Sequence, residues 1–245
     1  RIKAGVNFWN KHASTLTRAA QQYGVPEHIL VGIIGVETIY GQYMGDTNVF
    51  DVLTTVAFDY PRRSDEYKKF LEEYIVLTKT NKMPLRSVTG SYAGAIGIPQ
   101  FMPDSWRDYG VDFDGDGKVD LRNSTADAIG SVANFLKQKG GWVPNQDVVY
   151  AVKFDNDEPR IKELLAKPVE PSLTYRQIKD FGVSSSENIR SDIKLSLIDL
   201  PNGDKATSYV LGSRNFYAIT RYNKSYMYAM SVYDLGSAVA KARLK

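Results

Sequence analysis

Ile29-Leu30-Val31-Gly32-Ile33-Ile34-Gly35-Val36-Glu37-Thr38 is an apolar segment with one carboxylate near its end. Glu37 is the only charged residue from Ile29 to Met44. Removing an ionised carboxylate from water without a partner is costly, so such a group stays protonated or finds a cation or donor. A carboxylic acid that stays protonated at neutral pH can serve as the acid at a glycosidic bond. The alternative is a Glu at a partly wet helix end, paired with Arg or Lys. Pro26 opens the segment, which predicts a helix over residues 26–43. Gly32, Gly35 and Gly41 each weaken that helix by about 1 kcal/mol relative to Ala. In return, another backbone or a ligand can approach the face beside Glu37.

Working outward, residues 8–23 carry apolar positions at helical spacing, and Gly24-Val25-Pro26-Glu27 separates them from the first segment. Ser64 has the position of an N-cap, with Asp65 and Glu66 suited to the helix dipole and Tyr67, Phe70, Leu71, Tyr74 and Ile75 following helically. A further helix is predicted over 125–139, ending at Gly140-Gly141. The character changes after Trp142. Residues 147–154 read as strand, and 191–200 alternates with Ile193, Leu195 and Leu197 on one face. Asn202-Gly203 predicts a hairpin turn, strands follow at 205–211 and 215–221, and short helices fit 159–166 and 174–181. The chain returns to helix over 225–243. The expected class is mainly α (α+β). A helical body and core spans 1–143, an insert with a small antiparallel sheet spans 144–221, and a C-terminal helix at 222–245 returns to the body.

The 245 residues suffice for a sizeable core, and 43% hydrophobic content argues against disorder. No apolar run approaches the ~20 residues of a membrane helix. The net charge of +3 suits an anionic polymer, but without a Lys/Arg run it does not argue for nucleic acid. Cysteine is absent, which excludes disulfides, thiol nucleophiles and thiolate metal sites. The first residue is Arg1, so a processed or truncated product is expected, with any signal peptide or lipid anchor outside view. His12 and His28 are expected to be solvated, and neither belongs to a Ser-His-Asp set or a zinc helix.

Four further constellations carry chemistry. Asp112, Asp114, Asp116, Gly117, Lys118 and Asp120 match the start of a calcium loop, with Lys118 serving through its carbonyl. Asn123 stands where a bidentate Glu is expected, and Asp127 could close an elongated loop. The competing reading is an acidic Gly-rich turn without an ion. Gly90-Ser91-Tyr92-Ala93-Gly94-Ala95-Ile96-Gly97-Ile98-Pro99-Gln100 permits close backbone approach, and Gln100 offers a donor and an acceptor suited to sugars. A tight packing loop explains the same residues. Tyr60-Pro61-Arg62-Arg63 could hold carboxylates or form a solvated face. Tyr222, Asn223 and Tyr228 suit a sugar groove, although tyrosines also serve core packing.

Together, and in this order, these segments resemble the lytic murein transglycosylase B family. The matching residues are Gly35-Val36-Glu37-Thr38, Tyr60-Pro61-Arg62-Arg63, the run from Gly90 to Pro103, the Asp112 loop, the segment from Asp127 to Asn134, and Ile219-Thr220-Arg221-Tyr222-Asn223. The resemblance implies a lysozyme-like core in which Glu37 is the sole catalytic acid and base. It implies that Ser91 lies near Glu37, and that Gln100, Arg62, Arg63, Tyr222, Asn223 and Tyr228 bind glycan. It further implies structural calcium, replaceable by sodium, on Asp112, Asp114, Asp116, Lys118, Asp120 and Asp127, with no organic cofactor. The implied partners are peptidoglycan strands and other cell-wall enzymes, in the bacterial periplasm, soluble or lipid-anchored to the outer membrane. Two departures stand out. The loop holds one residue more than expected between Asp112 and Asp127, and Phe135 stands where a groove Tyr is expected.

The implied reaction cleaves the β-1,4 bond between N-acetylmuramic acid and N-acetylglucosamine, with Glu37 as acid and then base. The C6 hydroxyl of the muramic acid attacks C1, giving a 1,6-anhydro product. One carboxylate suffices because that nucleophile is intramolecular. A hydrolytic muramidase would add Asp46, Asp51 or Asp59 as a second carboxylate. A non-catalytic, calcium-stabilised wall-binding module is the alternative outside enzymes, and a calcium sensor would need a second paired loop.

Overall fold

Three helices open the chain: α1 (Ile2–Lys11), α2 (Ala13–Tyr23) and α3 (Glu27–Thr38). The computed structural model describes residues 1–155 and 159–245. Residues 8–23 are not one helix, because α1 and α2 part at His12. After α3 come β1 (Thr47–Asn48), α4 (Val49–Asp59), a 3-10 turn (Pro61–Arg63), α5 (Ser64–Thr80), β2 (Thr89–Gly90), α6 (Pro103–Tyr109) and α7 (Thr125–Gln138). Ser64 does not cap α5. The 3-10 turn runs straight into the helix, so Ser64 already has helical angles, and its Oγ donates to the Ala57 carbonyl at 2.5 Å.

The remaining elements are β3 (Val149–Ala151), β4 (Lys153–Phe154), α8 (Ile161–Leu165), β5 (Leu173–Thr174), α9 (Tyr175–Lys179), β6 (Val183–Ser184), β7 (Lys194–Asn202), β8 (Lys205–Gly212), α10 (Arg214–Tyr222) and α11 (Tyr226–Arg243). The chain divides into two units, Arg1–Phe135 with Val232–Lys245, and Leu136–Ser231.

In the first unit α3 is the buried axis. Ile29, Leu30, Val31, Ile33 and Ile34 are all fully buried, as expected for a helix that is apolar on every side. Its crossing with α11 is made by glycine. A Cβ on Gly32 would collide with the Val232 carbonyl, and one on Gly236 with the His28 carbonyl. The room left by Gly32 is therefore taken by backbone and not by a ligand. His28 sits at this crossing and is half-buried, so it is not solvated as expected; burial lowers its pKa against the pull of Glu27. His12 is also half-buried, tilted against the Phe8 ring, and lowered by burial and by Lys11.

In the second unit a four-stranded antiparallel sheet runs β3-β8-β7-β5, and β4 pairs with β6. The β7–β8 hairpin turns at Asn202-Gly203, with Asn202 opposite Lys205 and Gly203 at a φ of 58°. Leu195, Leu197 and Leu211 pack with Tyr150, Leu164, Tyr175, Ile178 and Val183, while Ser196 and Ile198 on the other face of β7 are buried too. Thr174 and Gln177 form a reciprocal capping box on α9. Residues 215–221 are helix α10 and not the expected strand. Ser213 caps the helix by accepting from the Asn215 N–H, and Asn215, Phe216, Ala218, Ile219 and Thr220 form its buried side.

Candidate active site

Glu37 lies in the last turn of α3 and is half-buried. The helix stops abruptly because Ile39, Tyr40 and Gly41 take left-handed φ angles of 47°, 60° and 86°. Thr38, fully buried, organises this stop. Its hydroxyl donates to the Ile98 carbonyl at 2.9 Å and accepts from the Gly41 N–H at 2.9 Å. The reversed chain folds the Tyr40 ring onto Gly35, where it stacks on Phe8 with centroids 5.3 Å apart.

The segment from Gly90 to Pro103 is stitched to this turn. Gln100, itself at a φ of 55°, donates through Nε2 to the Met44 carbonyl at 3.1 Å and the Gly97 carbonyl at 2.9 Å. Its N–H groups are thus committed to backbone. The Ser91 hydroxyl accepts from the Ala93 N–H at 3.2 Å and the Ala95 N–H at 3.0 Å, which shapes its own loop. Tyr67 donates to the Ala93 carbonyl at 2.7 Å, and the Arg63 guanidinium lies over the Tyr67 ring at 4.8 Å. Burial raises the Tyr67 hydroxyl pKa, partly offset by Arg63. Arg63 also pairs with Glu66 at 3.0 Å. Arg63, Tyr60, Tyr67, Tyr92, Ala93, Thr47 and Asp51 are among the residues lining a cleft of about 490 Å³. Arg62 is exposed and does not line that cleft. Phe135 is buried against Phe101 and edge-on to Tyr109.

Tyr222, Asn223 and most of their neighbours belong to the second unit. Tyr222 ends α10, and its ring stacks on that of Tyr228 at 6.4 Å with a 12° interplanar angle. Asn223 is exposed and accepts from the Ser225 N–H at 3.1 Å.

The acidic loop brings four carboxylates together. Oxygens of Asp112, Asp114, Asp116 and Asp127 lie within 4.8 Å of one another. Backbone donors hold them. Asp112 accepts from the N–H groups of Gly115, Asp116 and Gly117, and Asp127 from those of Phe113, Asp114 and Asp120. Asp127, on α7, is fully buried, and burial pushes its pKa up despite these bonds. Ser124 donates to Asp114 at 2.8 Å and holds that carboxyl low. Asp120 stands apart from the cluster. Its carboxylate instead accepts from the N–H groups of Arg122 and Asn123 and from the Asn123 amide, which caps the next turn. The Lys118 N–H donates to Asp116 at 3.0 Å. An all-oxygen set of this kind fits a hard cation such as calcium.

The Transglycosylase SLT domain family matches residues 1–237. This chain belongs to that family. The SLT domain is 41% identical over 244 residues to the membrane-bound lytic murein transglycosylase B of Escherichia coli; the match covers all of this chain and 65% of that protein's length. The Escherichia coli lytic transglycosylase Slt35, solved in complex with calcium, superposes with a TM-score of 0.88 at 39% identity, covering 100% of this chain and 75% of that one. SltB3 from Pseudomonas aeruginosa, solved in complex with NAG-anhNAM-pentapeptide, gives a TM-score of 0.85 at 31% identity, covering 98% of this chain and 63% of that one. Three contacts in this SLT domain have no signature in the sequence. Thr38 bonds a partner sixty positions away, Tyr67 reaches Ala93, and Ser124 joins the acidic cluster, each through a contact that only the fold creates.

Proposed function

We propose that this SLT domain is a peptidoglycan lytic transglycosylase. It cleaves the β-1,4 bond between N-acetylmuramic acid and N-acetylglucosamine and forms 1,6-anhydro-N-acetylmuramic acid. The observation that carries the reading is a single acid, Glu37, on the last turn of an apolar helix, in a family whose relative SltB3 was solved with an anhydro-sugar fragment. Glu37 donates a proton to the leaving oxygen, then accepts the proton of the C6 hydroxyl as that oxygen attacks C1. Ser91, Gln100, Arg62, Arg63, Tyr222, Asn223 and Tyr228 are the proposed glycan contacts. The aromatic wall of Tyr60, Tyr67 and Tyr92 with Arg63 suits a sugar ring and an attached carboxylate.

A hydrolytic route would need a second carboxylate. Of the candidates, Asp51 is engaged by Arg86 at 2.5 Å, while Asp46 and Asp59 are exposed. Mass spectrometry of digested peptidoglycan decides between the two. Products lighter by one water, carrying anhydro ends, support the transglycosylase; reducing ends refute it. Binding with no turnover would favour a wall-binding module instead.

The proposed cation ligands are Asp112, Asp114, Asp116 and Asp127 with the Lys118 carbonyl, while Asp120 supports them through the N–H it donates to Asp127. A bound calcium would supply charge neutralisation and tie the loop to α7. The relative solved with calcium supports this choice of ion, and sodium is the proposed substitute. The proposed setting is the bacterial periplasm, where peptidoglycan and other cell-wall enzymes are the partners. Among the described residues no helix is long and apolar enough to cross a membrane.

A further inference from the structure

The first unit contains a continuous chain of hydrogen bonds from the acidic loop to the end of α3. The Asp120 N–H donates to the Asp127 carboxylate at 2.9 Å. The next residue, Leu121, is fully buried, and its carbonyl accepts from the Ile98 N–H at 2.9 Å. The Ile98 carbonyl in turn accepts from the Thr38 hydroxyl at 2.9 Å. Thr38 adjoins Glu37. The two links through Ile98 join segments distant in sequence, one by backbone and one by a fully buried hydroxyl, so neither can swap its partner for water without opening the core.

We propose that Thr38 is a positioning residue for Glu37, and that the relay Leu121–Ile98–Thr38 couples the acid to the cation loop. This rests on the assignment of Glu37 as the reacting acid. The helix end that carries Glu37 closes on itself through the Ile39 and Tyr40 N–H groups, but these local bonds do not tie it to the Ile98 segment. Thr38 does so by bonding on both sides. Its proton goes to Ile98, and its lone pair receives Gly41. A second stitch, from Gln100 to the Met44 carbonyl, holds the far end of the same turn. Close approach of Gly97 to the Leu121 carbonyl locks the loop side, since a Cβ there would lie 2.5 Å from that oxygen. A cation that draws the acidic loop together therefore fixes Leu121, and through Ile98 the frame in which Thr38 holds the helix end. The coupling runs both ways, because a loop stitched to a pre-formed frame binds its ion with less ordering left to do.

Thr38→Val keeps the shape and removes the hydroxyl, and Thr38→Ser restores it. The expected result for Thr38→Val is a kcat lower by about one to two orders of magnitude, with KM within about twofold, as for a displaced reacting group. Thr38→Ser recovers most of the lost kcat. Calcium titrated into the metal-free protein by calorimetry binds Thr38→Val about fivefold more weakly than wild type and Thr38→Ser nearly as tightly. A thermal melt on each variant shows whether the fold is intact. Three results overturn the proposal: wild-type kcat in Thr38→Val, no recovery in Thr38→Ser, or unchanged calcium affinity in Thr38→Val. Wild-type protein that releases no anhydro product would instead overturn the enzymatic reading and leave the calcium arm to be scored alone.

Discussion

The end of α3 and the loop from Asp112 to Asp127 place carboxylates in opposite ways. The last turn of the helix presents one acid, Glu37, with no other charged residue from Ile29 to Met44. The loop packs four within 4.8 Å and surrounds them with backbone N–H donors. A crowd of carboxylates fed by amide donors favours a cation, whereas a lone carboxyl at a helix end offers no such cage. The same residue chemistry thus meets two different surroundings, and the proposed roles of acid and cation cage follow from that difference.

That contrast can be broken by swapping the readouts. Glu37→Gln is expected to lower turnover of peptidoglycan by about three orders of magnitude while glycan binding and the melting temperature stay close to wild type. Muropeptide release measured by mass spectrometry checks it, and retained turnover would refute the assignment of the acid. The acidic loop should show the reverse pattern. Stripping the cation with a chelator, or introducing Asp127→Ala, is expected to lower the melting temperature by about 5–10 °C, from the stabilisation a saturating ligand gives a domain of this size. Calorimetry with and without added calcium tests this, and a melt indifferent to calcium would remove the ion from the account.

A smaller effect sharpens the helix side. Gly32→Ala or Gly236→Ala puts a methyl against a carbonyl oxygen at the α3–α11 crossing, with an expected loss of about 1–3 kcal/mol in denaturant unfolding. Neutral behaviour of both would show that the two helices slide apart at little cost. The smallest effect concerns protons. Burial lowers the His28 pKa in the folded state below its ordinary 6.5. The unfolded chain thus takes up that proton first, so this contribution to stability is complete above about pH 6.5 and declines as pH falls through the folded value. His28→Gln should flatten the dependence of the melting temperature on pH between neutral and mildly acidic buffer. An unchanged slope would assign it to other groups.

Much of this was readable from residue order. The apolar run of α3, the Asn202-Gly203 hairpin and the alternating oxygen donors from Asp112 to Asp116 are local patterns whose physics acts within a few residues. The strand expected at 215–221 failed because Phe216, Tyr217, Ile219 and Thr220 favour strands by type, while the Ser213 cap and the buried face of α10 decide the outcome. The break at His12 had no glycine or proline to announce it. Thr38 was silent for a different reason: its meaning depends on Ile98, and no local rule relates two residues sixty positions apart.

The turn beyond Glu37 is held in a conformation its residues do not prefer. Ile39 and Tyr40 both adopt a handedness that costs an L-residue with a side chain roughly 1–2 kcal/mol each. The acid is therefore tethered to a wound spring, not to slack cord. Weakening any clasp nearby lets the spring uncoil toward its relaxed shape, and the carboxyl would be carried off with it.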